Sequence, residues 1–176
     1  MGSTLPPTFW ELVVQAADEQ PDALVVSDDH GRSLTRAQLR DASEATAAAL
    51  SSRGVRADTV VSWQLPTTIE AAVLLAALAR IGAVQNPLIP ILREREVSFI
   101  TQQVGTELLI VPEKWRGFSH GTMARDLATS SDFDVMEIDL HDLNGRGVPY
   151  GLNLPSADAN SSGRTPSPSK DRKSVV

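Results

Sequence analysis

One stretch, residues 54–90, constrains the fold of this chain more than any other. It opens with a run rich in β-branched residues at 59–65, which predicts a strand. Pro66 ends that strand because proline cannot donate a hydrogen bond to a sheet ladder. Thr67, followed three residues later by Glu70, has the spacing of a capping box, so a helix is expected to begin at Thr67.

The helix that follows is expected to be covered on most of its sides. Residues 71–79 carry no polar side chain, and Gly82 stands where a helix C-cap is expected. Residues 83–86 begin a second strand, which Pro87 and Pro90 close. A crossover of this length implies parallel strands with a right-handed connection. The uncharged run is far shorter than the roughly 20 residues that span a bilayer, so no transmembrane segment is predicted.

Helical and strand patterns alternate along most of the remaining chain, which predicts an α/β fold with a largely parallel sheet. Capping-box patterns at Thr8 and Thr35 mark two helix starts. The apolar face of the first helix is expected to consist of Phe9, Leu12, Val13 and Ala16. In chain order, the other predicted elements are helix 8–19, strand 23–27, strand 32–34, helix 35–53, helix 93–104, strand 107–111, helix 119–128 and strand 134–140.

The composition limits the kinds of function that this chain can have. Its 176 residues fit one domain, and 22 acidic against 16 basic residues give a formal net charge of −6. That charge argues against nonspecific nucleic-acid binding, which needs a basic surface. The chain has no cysteine, and therefore no disulfide, thiolate zinc site or cysteine nucleophile. Together with an N-terminus that lacks a secretory-signal pattern, this favours a cytoplasmic protein.

The alternation of helix and strand patterns fades after Leu140. Residues 155–170 are nearly without apolar side chains, and such a composition cannot offset the entropy lost on ordering. We therefore expect a partial α/β domain at residues 1–154, followed by a disordered linker and tail at 155–176. Residues 171–176 match the in-frame translation of a common sequencing-library adapter, and we expect an artefactual tail there. The alternative is a natural short tail.

The strand–helix–strand stretch also carries a family resemblance. The residues that carry it are Leu65-Pro66, Gly82-Ala83-Val84, Asn86-Pro87-Leu88 and the run at 89–97. In order and spacing they resemble the N-terminal part of the adenylate-forming enzymes, which are the AMP-forming acyl-CoA synthetases with luciferases and peptide-synthetase adenylation domains as relatives. The resemblance extends over residues 9–139 and is nearest to fatty-acyl and cyclohexanecarboxylate-type CoA ligases.

This resemblance implies a fragment of an ATP-dependent acyl-CoA ligase, which adenylates a small carboxylic acid and then forms a thioester with CoA, with Mg²⁺ neutralising phosphate charge. In the family, the phosphate loop, the nucleotide contacts and the mobile C-terminal domain lie beyond the position of Val176. The fragment itself is therefore expected to be inactive and to bind ATP, Mg²⁺ and CoA poorly, and no catalytic or metal-binding residue is assigned. The alternative is a non-catalytic α/β binding or interaction module.

One residue is a candidate contact for CoA. The spacing of Arg116 from Ile89 and Pro90 resembles that in acetyl-CoA synthetase-like relatives, in which a glycine pair and a downstream arginine approach the CoA nucleotide. Here Ile89 and Pro90 stand in place of the glycines. A guanidinium suits this role because its fork of donors matches the geometry of phosphate. The alternative is an exposed loop arginine without a ligand.

Other polar patterns are interpreted as structural. Residues 161–170 resemble the family's phosphate loop in part, but Pro166 removes a backbone amide where one is needed, so we interpret this segment as linker. His30, His120 and His141 show no metal-ligand spacing and are expected at surface or turn positions.

Two helix starts are also candidate sites. Residues 65–68 follow a strand, where open α/β sheets bind ligands and anions, but we favour a structural cap. Residues 93–96 alternate in sign and are expected to form a solvated first turn with local ion pairs.

Overall fold

The computed structural model describes residues 8–28, 31–138 and 140 of the chain. These residues form helices and strands in the order and of the type that the sequence predicts. The helices are α1 (Phe9–Glu19), α2 (Arg36–Ser51), α3 (Ile69–Ile81), α4 (Glu94–Val104) and α5 (His120–Ala128). The strands are β1 (Leu24–Ser27), β2 (Ser33–Thr35), β3 (Val60–Trp63), β4 (Val84–Pro87), β5 (Leu108–Pro112) and β6 (Asp134–Ile138).

Four of the strands form a parallel sheet in the order β4–β3–β5–β6. Ser62 of the inner strand β3 lies opposite Asn86 of β4 and opposite Leu109 of β5. The strands β1 and β2 form a separate antiparallel pair. The predicted crossover through α3 therefore joins two neighbouring parallel strands, β3 and β4.

Helices pack on both faces of the four-stranded sheet. On one face, Val61 of β3 and Ile110 of β5 join a core cluster with the buried side chains of α2 and α3. On the other face, Leu109 of β5 packs in a second cluster with Val97 of α4 and Met123 of α5. The sheet is thus the middle layer of three.

The helix α3 is enclosed on most of its sides, as its apolar sequence predicts. Leu74 and Leu78 are fully buried, and complete burial of a leucine side chain contributes roughly 1.5–3 kcal/mol to stability. The helix packs mainly against α2. Gly82 ends it in the left-handed conformation, with φ of 79°, which confirms the predicted C-cap.

Two predicted capping boxes are present at the starts of α1 and α2. The Thr8 hydroxyl accepts from the Glu11 amide, while the Glu11 carboxylate accepts from the Thr8 amide. Thr35 and Gln38 make the same reciprocal pair of bonds at α2. Each box satisfies backbone donors that have no partner inside the helix.

The predicted capping box of α3 is wrong. Its N-cap is Thr68, one residue later than Thr67, and the helix start has no side-chain capping bond. The reason is that the Glu70 carboxylate binds the Arg32 guanidinium from the β1–β2 pair. A charged, two-bonded partner competes better for the carboxylate than a backbone amide does.

The predicted apolar face of α1 is also wrong in part. Val13 is buried as expected, but the other buried residue is Ala17, and Phe9 and Leu12 are each 47% exposed. Trp10 packs against the larger core cluster instead. The helix is rotated so that its largest side chain, rather than the longest apolar row, faces the core.

Some expectations lie outside the described residues. These are the domain boundary at 154, the linker and tail at 155–176, the loop-like segment 161–170, and His30 and His141. They remain predictions. Among the described residues, no helix combines the length and the apolarity needed to cross a membrane.

Candidate functional site

The candidate site lies at the edge of the sheet where the parallel strands end. The helices α3, α4 and α5 each follow a strand directly in the chain and begin at this same edge. Ligands of open α/β sheets commonly bind outside the carboxyl ends of the strands. Two loops define the edge: residues 88–92, which we call the clamped loop, and residues 115–118, which we call the hairpin.

The clamped loop is bound first by Gln64, the residue that follows β3. Its side chain is completely buried. The amide nitrogen Nε2 donates to the carbonyl oxygens of Ile89 and Leu92, each at 3.0 Å. Because the two acceptors lie on either side of the loop, one side chain fixes both of its ends. The Leu88 amide also donates to the Trp63 carbonyl at 2.8 Å, which extends the sheet by one bond.

Two further side chains bind the clamped loop. His120, at the start of α5, places Nε2 at 3.0 Å from the Pro90 carbonyl oxygen. Arg93 donates from Nη1 to the carbonyls of Pro90 and Leu92, each at 2.9 Å. The carbonyls of this loop are therefore held by groups from three different elements.

His120 is completely buried, so the expected surface or turn position is wrong. Its second ring nitrogen, Nδ1, lies 3.3 Å from the Phe118 carbonyl oxygen, and the two rings meet edge to face at 4.9 Å. A buried imidazole is tolerated because its N–H can donate to a backbone carbonyl and the ring packs against an aromatic side chain. Sequence reasoning missed this because Pro90 is distant in the chain.

The hairpin is a tight two-residue turn that the sequence analysis did not predict. Trp115 and Phe118 exchange both backbone hydrogen bonds, each at 2.9 Å. Arg116 and Gly117 have positive φ values of 46° and 82°. Two positive φ values in the centre are the signature of the turns that match strand twist. The sequence feature that could have indicated this turn is Arg116-Gly117, which lies between the aromatic residues Trp115 and Phe118.

Arg116 is exposed at the tip of the hairpin. Its guanidinium lies 5.6 Å from the centroid of the Trp115 ring and makes no ion pair with any described carboxylate. A non-glycine residue in the left-handed region is uncommon and costs about 1–3 kcal/mol in strain. The turn therefore presents to solvent a guanidinium that has no ion pair within the described part of the chain.

The clamped loop presents two isoleucines to solvent at the same edge of the sheet. Ile89 is 58% exposed and Ile91 is 74% exposed. Arg93 connects the two loops, since its guanidinium stacks over the Phe118 ring at 4.0 Å. Ile89 and Pro90 lie in the clamped loop and Arg116 lies in the hairpin, and Arg93 and His120 link the two loops. The CoA contact of Arg116 stays a prediction.

The described residues contain no grouped set of metal ligands, and two of the helix starts at the strand ends are acidic. Across residues 8–28, 31–138 and 140, no three His, Asp or Glu side chains are grouped so as to hold a metal ion. The helix starts at the strand ends carry Glu70 in α3, and Glu94 and Glu96 in α4, in their first turns. Carboxylates in a first turn repel an anion that would otherwise bind there. The structural cap that we favoured for residues 65–68 is wrong, because the helix start at Thr68 has no side-chain capping bond.

A groove elsewhere on the surface is less suited to an anionic ligand. It has a volume of about 480 Å³ and follows the exposed side of α1. Its lining includes the carboxylates Glu11, Asp18 and Glu19, which repel phosphate groups. The edge that carries Arg116 is the better candidate.

Comparison with known proteins gives matches to one family. The family model described as AMP-binding enzyme matches residues 13–163. The chain is 31% identical to the medium-chain fatty-acid–CoA ligase of Escherichia coli (strain K12), over 59% of this chain and 18% of that protein. It is 36% identical to the 4-chlorobenzoate–CoA ligase of an Arthrobacter species, over 51% and 17%. It is 34% identical to the salicyl-AMP ligase / salicyl-S-ArCP synthetase of Mycobacterium tuberculosis (strain ATCC 25618 / H37Rv), over 68% and 22%.

Each matched segment is thus about a fifth of the relative's length. Among solved structures, VinN superposes with a TM-score of 0.66 at 21% identity, covering 80% of this chain and 35% of that one. The Klebsiella oxytoca NpsA N-terminal subdomain gives 0.64 at 20% identity, covering 85% and 35%. The Mycobacterium tuberculosis fatty acyl CoA synthetase gives 0.61 at 20% identity, covering 73% and 26%. At these identities the superpositions show that the fold is shared.

Proposed function

The chain belongs to the AMP-binding enzyme family, and we propose that it is the N-terminal part of an ATP-dependent acyl-CoA ligase. The observation that carries this proposal is the family match over residues 13–163, together with relatives that are named as CoA ligases. The proposed substrate is a small carboxylic acid, since the relatives' names specify a fatty acid, a chlorobenzoate and a salicyl group. In the proposed reaction, ATP supplies the adenylyl group that activates the carboxylate and CoA supplies the accepting thiol.

The residue of this chain proposed to contact CoA is Arg116. Its guanidinium is exposed and unpaired among the described residues, and it projects from a turn at the strand ends. Such a fork of donors can bind a phosphate of the CoA nucleotide with two parallel hydrogen bonds. The two exposed isoleucines of the clamped loop offer an apolar surface at the same edge. This support is structural, and the contact itself is a proposal.

The proposed activity needs more than the described residues contain. They offer no cluster for Mg²⁺, and no glycine-rich loop in them could surround the phosphates of ATP. We therefore propose that the 176-residue chain alone is inactive. Purified chain should give no carboxylate-dependent exchange of pyrophosphate into ATP above a no-enzyme blank, with the Escherichia coli relative as the positive control. Clear exchange by the chain alone would refute the proposed inactivity.

The second candidate function is a non-catalytic α/β binding or interaction module. The observation in its favour is the exposed apolar surface of the clamped loop, where Ile89 is 58% and Ile91 is 74% exposed. Sequencing the locus beyond the codons for residues 171–176 separates the two. A phosphate-loop coding run downstream supports the ligase, whereas a genuine stop followed by unrelated sequence supports the module.

Location and further partners are part of the proposal. ATP and CoA are both supplied in the cytoplasm, and we propose that the protein acts there. The formal net charge of −6 argues against nucleic acid as a partner.

A further inference from the structure

We propose that His120 is a positioning residue that ties the hairpin carrying Arg116 to the clamped loop, so that the two loops move as one unit. The inference rests on the proposed function only in assigning a purpose to this coupling, namely a fixed placement of Arg116 for the CoA nucleotide. The coupling itself depends on the geometry of the described residues.

The two loops have separate supports. The clamped loop follows β4, and the hairpin follows β5. Within the described residues, no backbone hydrogen bond joins residues 88–92 to residues 115–118. Without a side-chain link, each loop could open independently, because loop segments lie at the low end of local stability.

His120 packs against the hairpin and bonds to the clamped loop. Nε2 lies 3.0 Å from the Pro90 oxygen and Nδ1 lies 3.3 Å from the Phe118 oxygen. A neutral imidazole has one N–H, and the shorter contact assigns it to Nε2 as the donor to Pro90. The ring then remains fixed against the hairpin by its edge-to-face contact with Phe118 at 4.9 Å.

A second side chain also links the loops. Arg93 also touches both, through the Pro90 carbonyl and the Phe118 ring. Its ring contact is a cation–π interaction, which has a weaker directional preference than a hydrogen bond and persists when the ring shifts sideways. His120, which is completely buried, provides the directional link.

The test measures amide hydrogen exchange by NMR in the 176-residue chain and three variants, His120→Gln, His120→Asn and His120→Leu. The reporters are the amide of Leu92, which donates to the Ile89 carbonyl at 3.2 Å, and the amide of Trp115, which donates to the Phe118 carbonyl at 2.9 Å. In His120→Leu both reporters should exchange about tenfold faster, as expected for the loss of one buried hydrogen bond that holds both segments.

The other two variants separate the ring nitrogens. Glutamine can place a donor near the position of Nε2, so His120→Gln should restore protection of the Leu92 amide to within about threefold of wild type. Asparagine reaches only the position of Nδ1, so His120→Asn should behave like His120→Leu at Leu92. If His120 only filled space, the leucine variant would keep more protection at Leu92 than the glutamine variant. The proposal predicts the reverse.

One control lies in α5, the helix that begins at His120, and the other lies in β4, the strand that precedes the clamped loop. Met123→Ala removes buried volume from α5 without touching a loop carbonyl, so it should lower protection throughout the sheet and not at the reporters selectively. The Val84 amide, which donates to Thr59 at the other end of β4, should be unaffected by the His120 variants beyond the global change. Wild-type exchange at both reporters in His120→Leu, or equal loss in His120→Leu and His120→Gln, would overturn the proposal.

A separate arm addresses the purpose of the coupling. CoA at millimolar concentration is titrated onto the polypeptide encoded by the whole native locus, as wild type and as Arg116→Gln, and the hairpin amides are followed. A response that depends on Arg116 and weakens in His120→Leu supports the positioning role. No response in wild type counts against the proposed CoA contact, while the exchange data still decide the coupling.

Discussion

Arg32 binds Glu70 through both terminal nitrogens of its guanidinium, at 2.6 Å and 3.2 Å from the two carboxylate oxygens. This contact joins the antiparallel strands β1 and β2 to the first turn of α3, and both side chains are more than four-fifths buried. Arg32 also donates from Nε to Asp28 at 2.7 Å. This contact fixes the small antiparallel pair against the helix that the rest of the fold surrounds.

Removing the charge from this pair should destabilise the chain. Glu70→Gln leaves the shape unchanged but loses a charge-assisted bidentate contact, so the free energy of unfolding should fall by about 1–3 kcal/mol. Urea denaturation followed by circular dichroism measures this. The matched control is Glu44→Gln, which breaks an exposed 3.5 Å pair with Arg80 and should leave the midpoint unchanged. Equal effects of the two substitutions would contradict the account.

The same pair predicts a pH dependence. Burial raises the pKa of Glu70, but the hydrogen bonds from Arg32 outweigh it together with smaller contributions, and the net pKa lies below the usual value of 4.5. A lowered pKa in the folded state means that the stabilisation is complete above the unfolded pKa and is lost as the pH falls through the folded pKa. Unfolding free energies of wild type and Glu70→Gln should therefore converge below pH 4.5. A constant difference down to pH 2 would count against it.

Gln64 should be more important than its polar character suggests. Gln64→Ala leaves two loop carbonyls without their buried donor and creates a cavity, so we expect a loss of about 2–4 kcal/mol in thermal or urea unfolding. Gln64→Glu should be at least as severe, because a carboxylate cannot donate to a carbonyl. The control is Gln85→Ala, which removes one amide donor to the Leu75 carbonyl at an exposed position. A Gln64 variant as mild as the Gln85 variant would show that the clamp is not formed.

Arg116 should lower the stability of the chain, because it occupies a strained backbone conformation. Because φ is 46° there, Arg116→Gly relieves strain and should raise the free energy of unfolding by about 0.5–1 kcal/mol. Gly117→Ala, at φ 82°, should lower it by a similar amount through conformation alone, since nothing lies within 4 Å of an added Cβ. Thermal unfolding of the two variants should shift in opposite directions. A shift in the same direction would exclude the left-handed turn.

The chain alone should expose apolar surface to a fluorescent dye. Ile91 is 74% exposed and Phe99 is 65% exposed. Exposed apolar side chains that form a contiguous patch bind partners or aggregate. Ile91→Gln should reduce dye binding without lowering the unfolding midpoint, because an exposed side chain contributes little to the core. An unchanged dye signal, or a destabilised variant, would mean that Ile91 is covered in solution.

The sequence predicted the fold well where local chemistry decides the structure. The capping boxes of Thr8 and Thr35, the glycine after α3 and the apolar centre of that helix all act within a few residues. The candidate site was predicted only as far as Arg116. The partner of Glu70 and the acceptor of His120 lie 38 and 30 residues away in the chain, so pairing with them depends on tertiary structure. The capping box expected at Thr67 was wrong because the distant residue Arg32 binds the Glu70 carboxylate instead.

The most direct test of the central claim uses the polypeptide encoded by the whole native locus, with the 176-residue chain beside it. The measurement is exchange of labelled pyrophosphate into ATP in the presence of a set of carboxylic acids, from short fatty acids to substituted benzoates. An adenylating ligase predicts exchange that depends on both the acid and Mg²⁺ for the whole-locus product, and none for the chain alone. A stop codon directly after residue 176 in the native locus, or a longer product that gives no exchange with any acid, would contradict the assignment.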